Sequence, residues 1–134
     1  SDLDRKACLA LRHDVFVMEQ KVPPALEVDG LDGQARHFAV RQDGRIVATC
    51  RVRVIGDAAK IERVVVAKDH RGRGVGHVLM KYVLQDLSRA GDIRWLKLSA
   101  QTDALPFYEK LGFKAKGAEY MDAGIPHRDM AREI

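Results

Sequence analysis

Cysteine is scarce in this chain: Cys8 and Cys50 are the only two among 134 residues. Neither sits in a C-x-x-C pair and no histidine falls at zinc spacing, so a disulfide scaffold and a thiolate metal site are excluded. A reduced cytoplasmic protein with free thiols and no bound metal is the economical reading. Runs of 18 apolar residues are absent, as is a signal-peptide pattern, so no membrane-spanning helix is expected. Aromatic residues make up only 6%. Lysine and arginine are scattered, without the clustered basic and aromatic pattern of a nucleic-acid surface. The net charge of +4, from 23 basic and 19 acidic residues, suits anionic ligands without requiring nucleic acid. Repeats, low-complexity tracts and linkers are also missing. The length supports one real core and is too short for two ordinary domains, so residues 1–134 read as a single domain.

What the chain does have is the stretch "HRGRGVGHVLM", His70 to Met80. Gly72, Gly74 and Gly76 lack Cβ atoms, so the backbone can adopt positive φ and bring N–H groups close to an oxyanion. A helix from Val75 to Ala90 would aim its unpaired first N–H groups at the same anion, and Arg71 and Arg73 add forked donors. Upstream, Val64 to Ala67 reads as a strand buried on both faces. Strand, glycine loop, helix is a phosphate-binding order. The spacing matches neither G-x-x-x-x-G-K-[ST] nor a clean G-x-G-x-x-G, which disfavours a dinucleotide fold.

The remaining elements follow from periodicity. Leu3, Ala7, Ala10, Leu11, Val15 and Met18 form an apolar stripe that predicts a helix from Leu3 to Gln20, with Asp2 or Asp4 placed to cap it. Adjacent Pro23 and Pro24 and two Asp-Gly pairs predict a long loop through Gln34 without regular structure. Alternation around Asp43-Gly44 predicts a hairpin of strands near His37 to Arg41 and Arg45 to Ile55, and the strand ending at Ala67 pairs antiparallel with the second. Ile93 to Ala100 reads as a buried strand. Asp103 is placed to cap a short helix with Pro106 in its first turn, ended by Gly112. A strand, an irregular Gly-Ile-Pro turn and a last strand near Arg128 to Ile134 complete the chain.

Two motifs carry a resemblance. Arg71, Gly74 and Gly76 fit R/Q-x-x-G-x-G/A, and "AQTDALPFYEKLGF" fits N-x-x-A-x-x-F-Y-x-x-x-G-F at Ala104, Phe107, Tyr108, Gly112 and Phe113. Together, and in this order, they resemble the GNAT acyltransferases, specifically a small bacterial branch, from about Asp14 to the C-terminus. The resemblance implies an α/β fold: a mixed, mostly antiparallel central sheet with helices on both faces. Family members open with a strand before the first helix, and none fits before Leu3, so that strand is missing or trimmed. An edge left open that way invites pairing with a second copy, a homodimer. The implied activity moves the acetyl group of acetyl-CoA, as co-substrate, to a primary amine of a small-molecule acceptor. The alternative is an acetyl-CoA-binding regulatory module without turnover.

Site residues follow by family position. Val64, Val65 and Val66 would pair with the pantetheine arm. Arg71, Gly72, Arg73, Gly74, Val75 and Gly76 would cradle the pyrophosphate, and Gln101, Ala104, Phe107 and Tyr108 would flank the coenzyme. Gln101 stands where the family usually has Asn. Tyr108 is placed to protonate the departing thiolate. For the base, Glu62 and His127 both stand: alternation puts Glu62 on the face of Val64 and Val66, against a plain salt bridge with Arg53 or Arg63, and an imidazole suits proton transfer near neutral pH. His13, His37 and His70 read as structural. Glu19, Glu27, Asp29 and Asp32 could hold a cationic amine, or Arg51 and Arg53 a carboxylate or phosphate.

Overall fold

The computed structural model describes residues 2–134, with side chains from residue 4 onward. Six strands form one sheet in the order β1-β2-β3-β4-β6-β5. They are β1 (Arg36–Gln42), β2 (Arg45–Ile55), β3 (Ala58–Val66), β4 (Trp95–Gln101), β5 (Lys114–Asp122) and β6 (Ile125–Glu133). The helices are α1 (Asp2–Arg12), α2 (Pro24–Glu27), α3 (Val75–Ser88) and α4 (Leu105–Glu109). Among the described residues only β3 and β4 are parallel neighbours, joined by α3 as the crossover; every other pair is antiparallel. The mixed, mostly antiparallel α/β sheet expected from the sequence is therefore what forms.

Each sheet face carries its own core. On one, Leu79, Met80, Val83 and Leu87 of α3 lose all solvent contact against Ala48, Cys50, Val52, Ile61 and Leu98. Side chains of that size contribute about 1.5–3 kcal/mol each when fully buried. On the other, Cys8, Leu11 and Val15 from the N-terminal helix cover Ile46, Val47, Val65 and Ala67. Helices thus lie on both faces. Among the described residues, no helix is long and apolar enough to cross a membrane.

Five local expectations need correction. The first helix widens after Arg12 into π-helical turns from His13 to Glu19, which rotates Met18 out of the apolar stripe and leaves it exposed. Asp4 lies inside α1 rather than capping it and accepts a bond from Arg41, while the side chain of Asp2 lies outside the described residues. Pro24 does not forbid structure: it occupies the first turn of α2, where its missing N–H is not needed. Asp103 does not cap α4, which starts from a 3₁₀ turn at Thr102–Ala104. The tight turn between β5 and β6 is Ala123-Gly124, both at positive φ, so Ile125 and Pro126 already belong to β6. Pro126 is tolerated there because β4 reaches only His127.

The feature that shapes the site is a bulge in β3. Thr49 pairs with Val65 and Arg51 with Glu62, so two residues, Arg63 and Val64, face the single Cys50. Arg63 takes φ +56°, a left-handed conformation that costs a non-glycine residue roughly 1–2 kcal/mol. Its guanidinium is tied to the loop before β1, donating to the carbonyls of Leu26 and Glu27 at 3.2 Å. Beyond the bulge β3 leaves β4: their pairing ends at Ile61 and Leu98. The bulge also flips the alternation. Ile61 faces the α3 core, and so do Val64 and Val66, which leaves Glu62 on the opposite face. The expectation that Glu62 shares a face with those valines is thereby overturned.

If the left-handed turn is needed, Arg63→Gly should retain more stability than Arg63→Val by about 1 kcal/mol or more in urea unfolding. Equal stabilities would mean that β3 does not require the bulge.

Candidate functional site

The parting of β3 from β4 opens two connected cavities. The larger, about 620 Å³, runs along Val64, Val65 and Val66, past the glycine loop, to Gln101, Ala104, Phe107 and Tyr108. Gly72 and Gly74 have φ of +76° and +78°, the second capping α3, so these two positions do need glycine. Gly76 has no such constraint, and a Cβ there would stand at ordinary contact, 3.4 Å from Phe107. Twelve of the thirteen residues expected to hold a coenzyme line this groove. Arg73 does not. Arg71 does, but its guanidinium is engaged: it donates to both carboxylate oxygens of Glu19 at 2.5 and 2.8 Å and to the Val66 carbonyl at 3.1 Å. Val15, Gln20, His77 and Lys110 also line the groove and were not anticipated, because the π-helical turns that bring Val15 and Gln20 to it leave no mark in the periodicity.

The smaller cavity, about 250 Å³, lies in the fork itself and contains all three expected catalytic residues, Tyr108, Glu62 and His127. Tyr108, Val64, Gln20, Gln101 and Ala104 line both spaces and form their junction. Gln101 donates to Gln20 across that junction at 2.8 Å. Tyr108 is buried between Phe107 and Phe113, with edge-on rings at 5.0 and 6.1 Å. Burial, helped by the Cys50 thiol, pushes its phenol well above the usual value. Among the described residues its hydroxyl has no hydrogen-bond partner.

His127 and Glu62 differ in what is left free. The His127 Nδ1 lies 2.6 Å from the Ile125 carbonyl, which can only accept, so Nδ1 carries the proton and Nε2 presents a lone pair. Its ring stacks on Tyr120 at 6.1 Å. Glu62 accepts from Arg53 at 2.6 and 3.2 Å and from Arg51 at 3.3 Å. Burial by itself would raise its pKa, but these arginines outweigh it and hold the carboxyl below the usual range. The salt bridge with Arg53 is present. Arg63 instead serves the loop.

That loop is fixed by an arginine and carboxylate network. Arg51, fully buried, donates to Asp29 at 2.5 Å and Asp32 at 3.1 Å. Arg12, also buried, donates to Glu27 at 2.7 Å and Asp32 at 2.6 Å. The acidic residues considered for an amine and the arginines considered for an anion are therefore all engaged in internal ion pairs: Asp29 and Asp32 with Arg51, Glu27 with Arg12, Glu19 with Arg71, and Arg53 with Glu62. His37 is structural as expected, its Nε2 3.0 Å from the Asp32 carbonyl, and His70 rests 2.9 Å from Asp69. Among the described residues no cluster of His, Cys, Asp and Glu could hold a metal ion.

These pairings make stability depend on pH. Asp29, Asp32 and Glu62 are all held below their ordinary values. Depressed folded pKa values give stability that is complete above the unfolded pKa of about 4 and is lost as pH falls towards the folded values. The urea midpoint should therefore drop steeply between about pH 5 and 2.5, and Arg51→Met should flatten that slope. An equal slope in the variant would mean that the network does not govern acid unfolding.

Comparison with known proteins agrees with this arrangement. Residues 4–134 match a family model described as an acetyltransferase (GNAT) domain. The chain is 38% identical to the uncharacterized N-acetyltransferase YjcF of Bacillus subtilis over 96% of its own length and 91% of the relative's. It is similar to the crystal structure of an acyl-CoA N-acyltransferase from Pseudomonas aeruginosa, with TM-score 0.88 and 37% identity over 98% of this chain and 91% of that one. Escherichia coli ElaA superposes with TM-score 0.89 at 33% identity, covering 99% and 92%.

Proposed function

The chain belongs to the GNAT acetyltransferase family and is an acyl-CoA-dependent N-acetyltransferase, and on that premise we propose that it moves the acetyl group of acetyl-CoA to a primary amine held beside Tyr108 and His127. The observation that carries this reading is the position of Tyr108 at the junction of the glycine-loop groove and the fork cavity. Coenzyme lying in the groove would bring its thioester to that junction, with its pyrophosphate on the loop before α3 and its pantetheine along the backbone of Val64 to Val66, which β4 leaves unpaired.

In the reaction, the neutral amine nitrogen attacks the thioester carbonyl carbon and forms a tetrahedral oxyanion. As the carbonyl re-forms, the C–S bond breaks and the electron pair leaves on sulfur. The amine gives up a proton to His127 Nε2, whose lone pair has no partner among the described residues, and the sulfur takes one from the Tyr108 phenol. His127 is favoured over Glu62 because Arg53 and Arg51 already occupy the Glu62 oxygens. Burial keeps Tyr108 protonated at every working pH. The same desolvation raises the proton affinity of a thiolate released beside it, which keeps donor and acceptor matched.

Tyr108→Phe keeps the ring contacts and removes the one O–H, so acetyl-CoA affinity should hold while kcat falls about 10²- to 10⁴-fold. Full turnover in the variant would remove the acid role. His127→Gln should erase the acidic limb of the kcat/KM profile. A limb unchanged in that variant would assign the titration to the amine. Glu19→Gln should tighten acetyl-CoA binding several-fold in calorimetry by releasing Arg71, and Arg71→Ala should weaken it about 10-fold or more. Unchanged affinity in both would take Arg71 out of the coenzyme site.

A further inference from the structure

Once the internal ion pairs are accounted for, few charges near the fork remain available, and they are segregated. Inside the fork cavity the free groups are Asp122, which has no partner among the described residues, and the Nε2 of His127. Both suit the amine end of an acceptor. Outside it lies a second hollow of about 550 Å³ on the sheet, lined by Lys60, Lys97 and Lys116. The two spaces meet at Lys60, Leu98 and Ser99.

This hollow is on the face turned away from α3. Leu96, Leu98 and Ala100 of β4 point into the α3 core, so Lys97 and Ser99 project to the other side. The N-terminal helix covers that side over β1, β2 and β3, and no residue of β4, β5 or β6 joins its core. The lysines therefore stand over an uncovered stretch of sheet. Lys116 rests 5.1 Å from the Trp95 ring centroid, and Lys60 lies 3.7 Å from a Glu62 oxygen that Arg53 already holds. Among the described residues the single carboxylate lining the hollow, Asp129, accepts from the Tyr120 hydroxyl at 2.6 Å, and that hydroxyl also pairs with Ser99. A positive surface thus begins about two residues along β4 from the reacting end, roughly 7 Å at strand spacing.

Resting on the N-acetyltransferase reading above, we propose that the acceptor is a small amine carrying a carboxylate or phosphate several bonds away, its amine in the fork beside Asp122 and His127 and its anionic group over Lys60, Lys97 and Lys116. Charge complementarity selects this occupant: an uncharged or polycationic amine gains nothing from the three lysines, and a polycation is repelled.

The test compares matched acceptors, 6-aminohexanoate and 6-amino-1-hexanol, with 3-aminopropyl phosphate as the phosphate arm. The anionic amines should exceed the amino alcohol in kcat/KM by at least 10-fold, chiefly through KM, and the advantage should shrink with added salt. Lys97→Gln/Lys116→Gln, both exposed positions, should bring the ratio close to one, whereas Lys81→Gln on α3 should keep it. No anion preference, or one that survives the double substitution, overturns the proposal. Should no amine be acetylated, calorimetric binding of 6-aminohexanoate to the coenzyme A-loaded protein still decides it. Binding weakened at least fivefold by the double substitution upholds the anion site while the transferase reading fails, and binding that is absent or unaffected overturns the site as well.

Discussion

One left-handed residue, Arg63, governs how the rest of the molecule is arranged. A bulge at that point ends the pairing of β3 with β4 and so opens the fork in which both cavities lie. It also decides which side chains each face receives, turning Val64 and Val66 to the α3 core and Glu62 to the arginines. The strain of roughly 1–2 kcal/mol is offset because the displaced Arg63 side chain reaches the carbonyls of Leu26 and Glu27 and holds down the loop before β1. Backbone irregularity, open cleft and anchored loop are consequences of a single extra residue.

Electrostatics around the fork follow a second rule, that buried charge is tolerated only when paired. Arg12 and Arg51 are almost wholly enclosed, and between them they engage Glu27, Asp29 and Asp32. Removing one partner from such a set strands a charge, so the network fixes the loop geometry rather than serving as a reservoir of ligands. What is left for chemistry is small: the Tyr108 phenol, the His127 Nε2 lone pair, Asp122, and the lysines on the uncovered face. The Glu19–Arg71 and Gln20–Gln101 contacts add ties from the N-terminal segment to two residues of the coenzyme groove.

The strand and helix order was legible because glycines, prolines and alternation act locally. The Arg71 to Gly76 loop, the helix that follows it and the short helix at Phe107-Tyr108 all stand where the sequence places them. Three things were not legible. The bulge depends on how β3 meets two neighbours at once, so alternation alone put Glu62 on the wrong face. The π-helical turns arise where the first helix must reach the fork, and the stripe of Leu11, Val15 and Met18 fits an ordinary helix equally well until Met18 is seen to be exposed. The mutual neutralisation of Arg12, Arg51 and Arg53 with their carboxylates is a contact between segments 9 to 22 residues apart, to which periodicity is blind.

The central claim is that the stretch of β3 which β4 leaves unpaired and the glycine loop together receive the coenzyme. Backbone amide hydrogen exchange, with and without saturating acetyl-CoA, tests it most directly. Protection of at least tenfold at one or more amides of Val64, Val65 and Val66, together with slowed exchange across Gly72 to Gly76, is the predicted result. Exchange unchanged at both segments while acetyl-CoA is bound would contradict it.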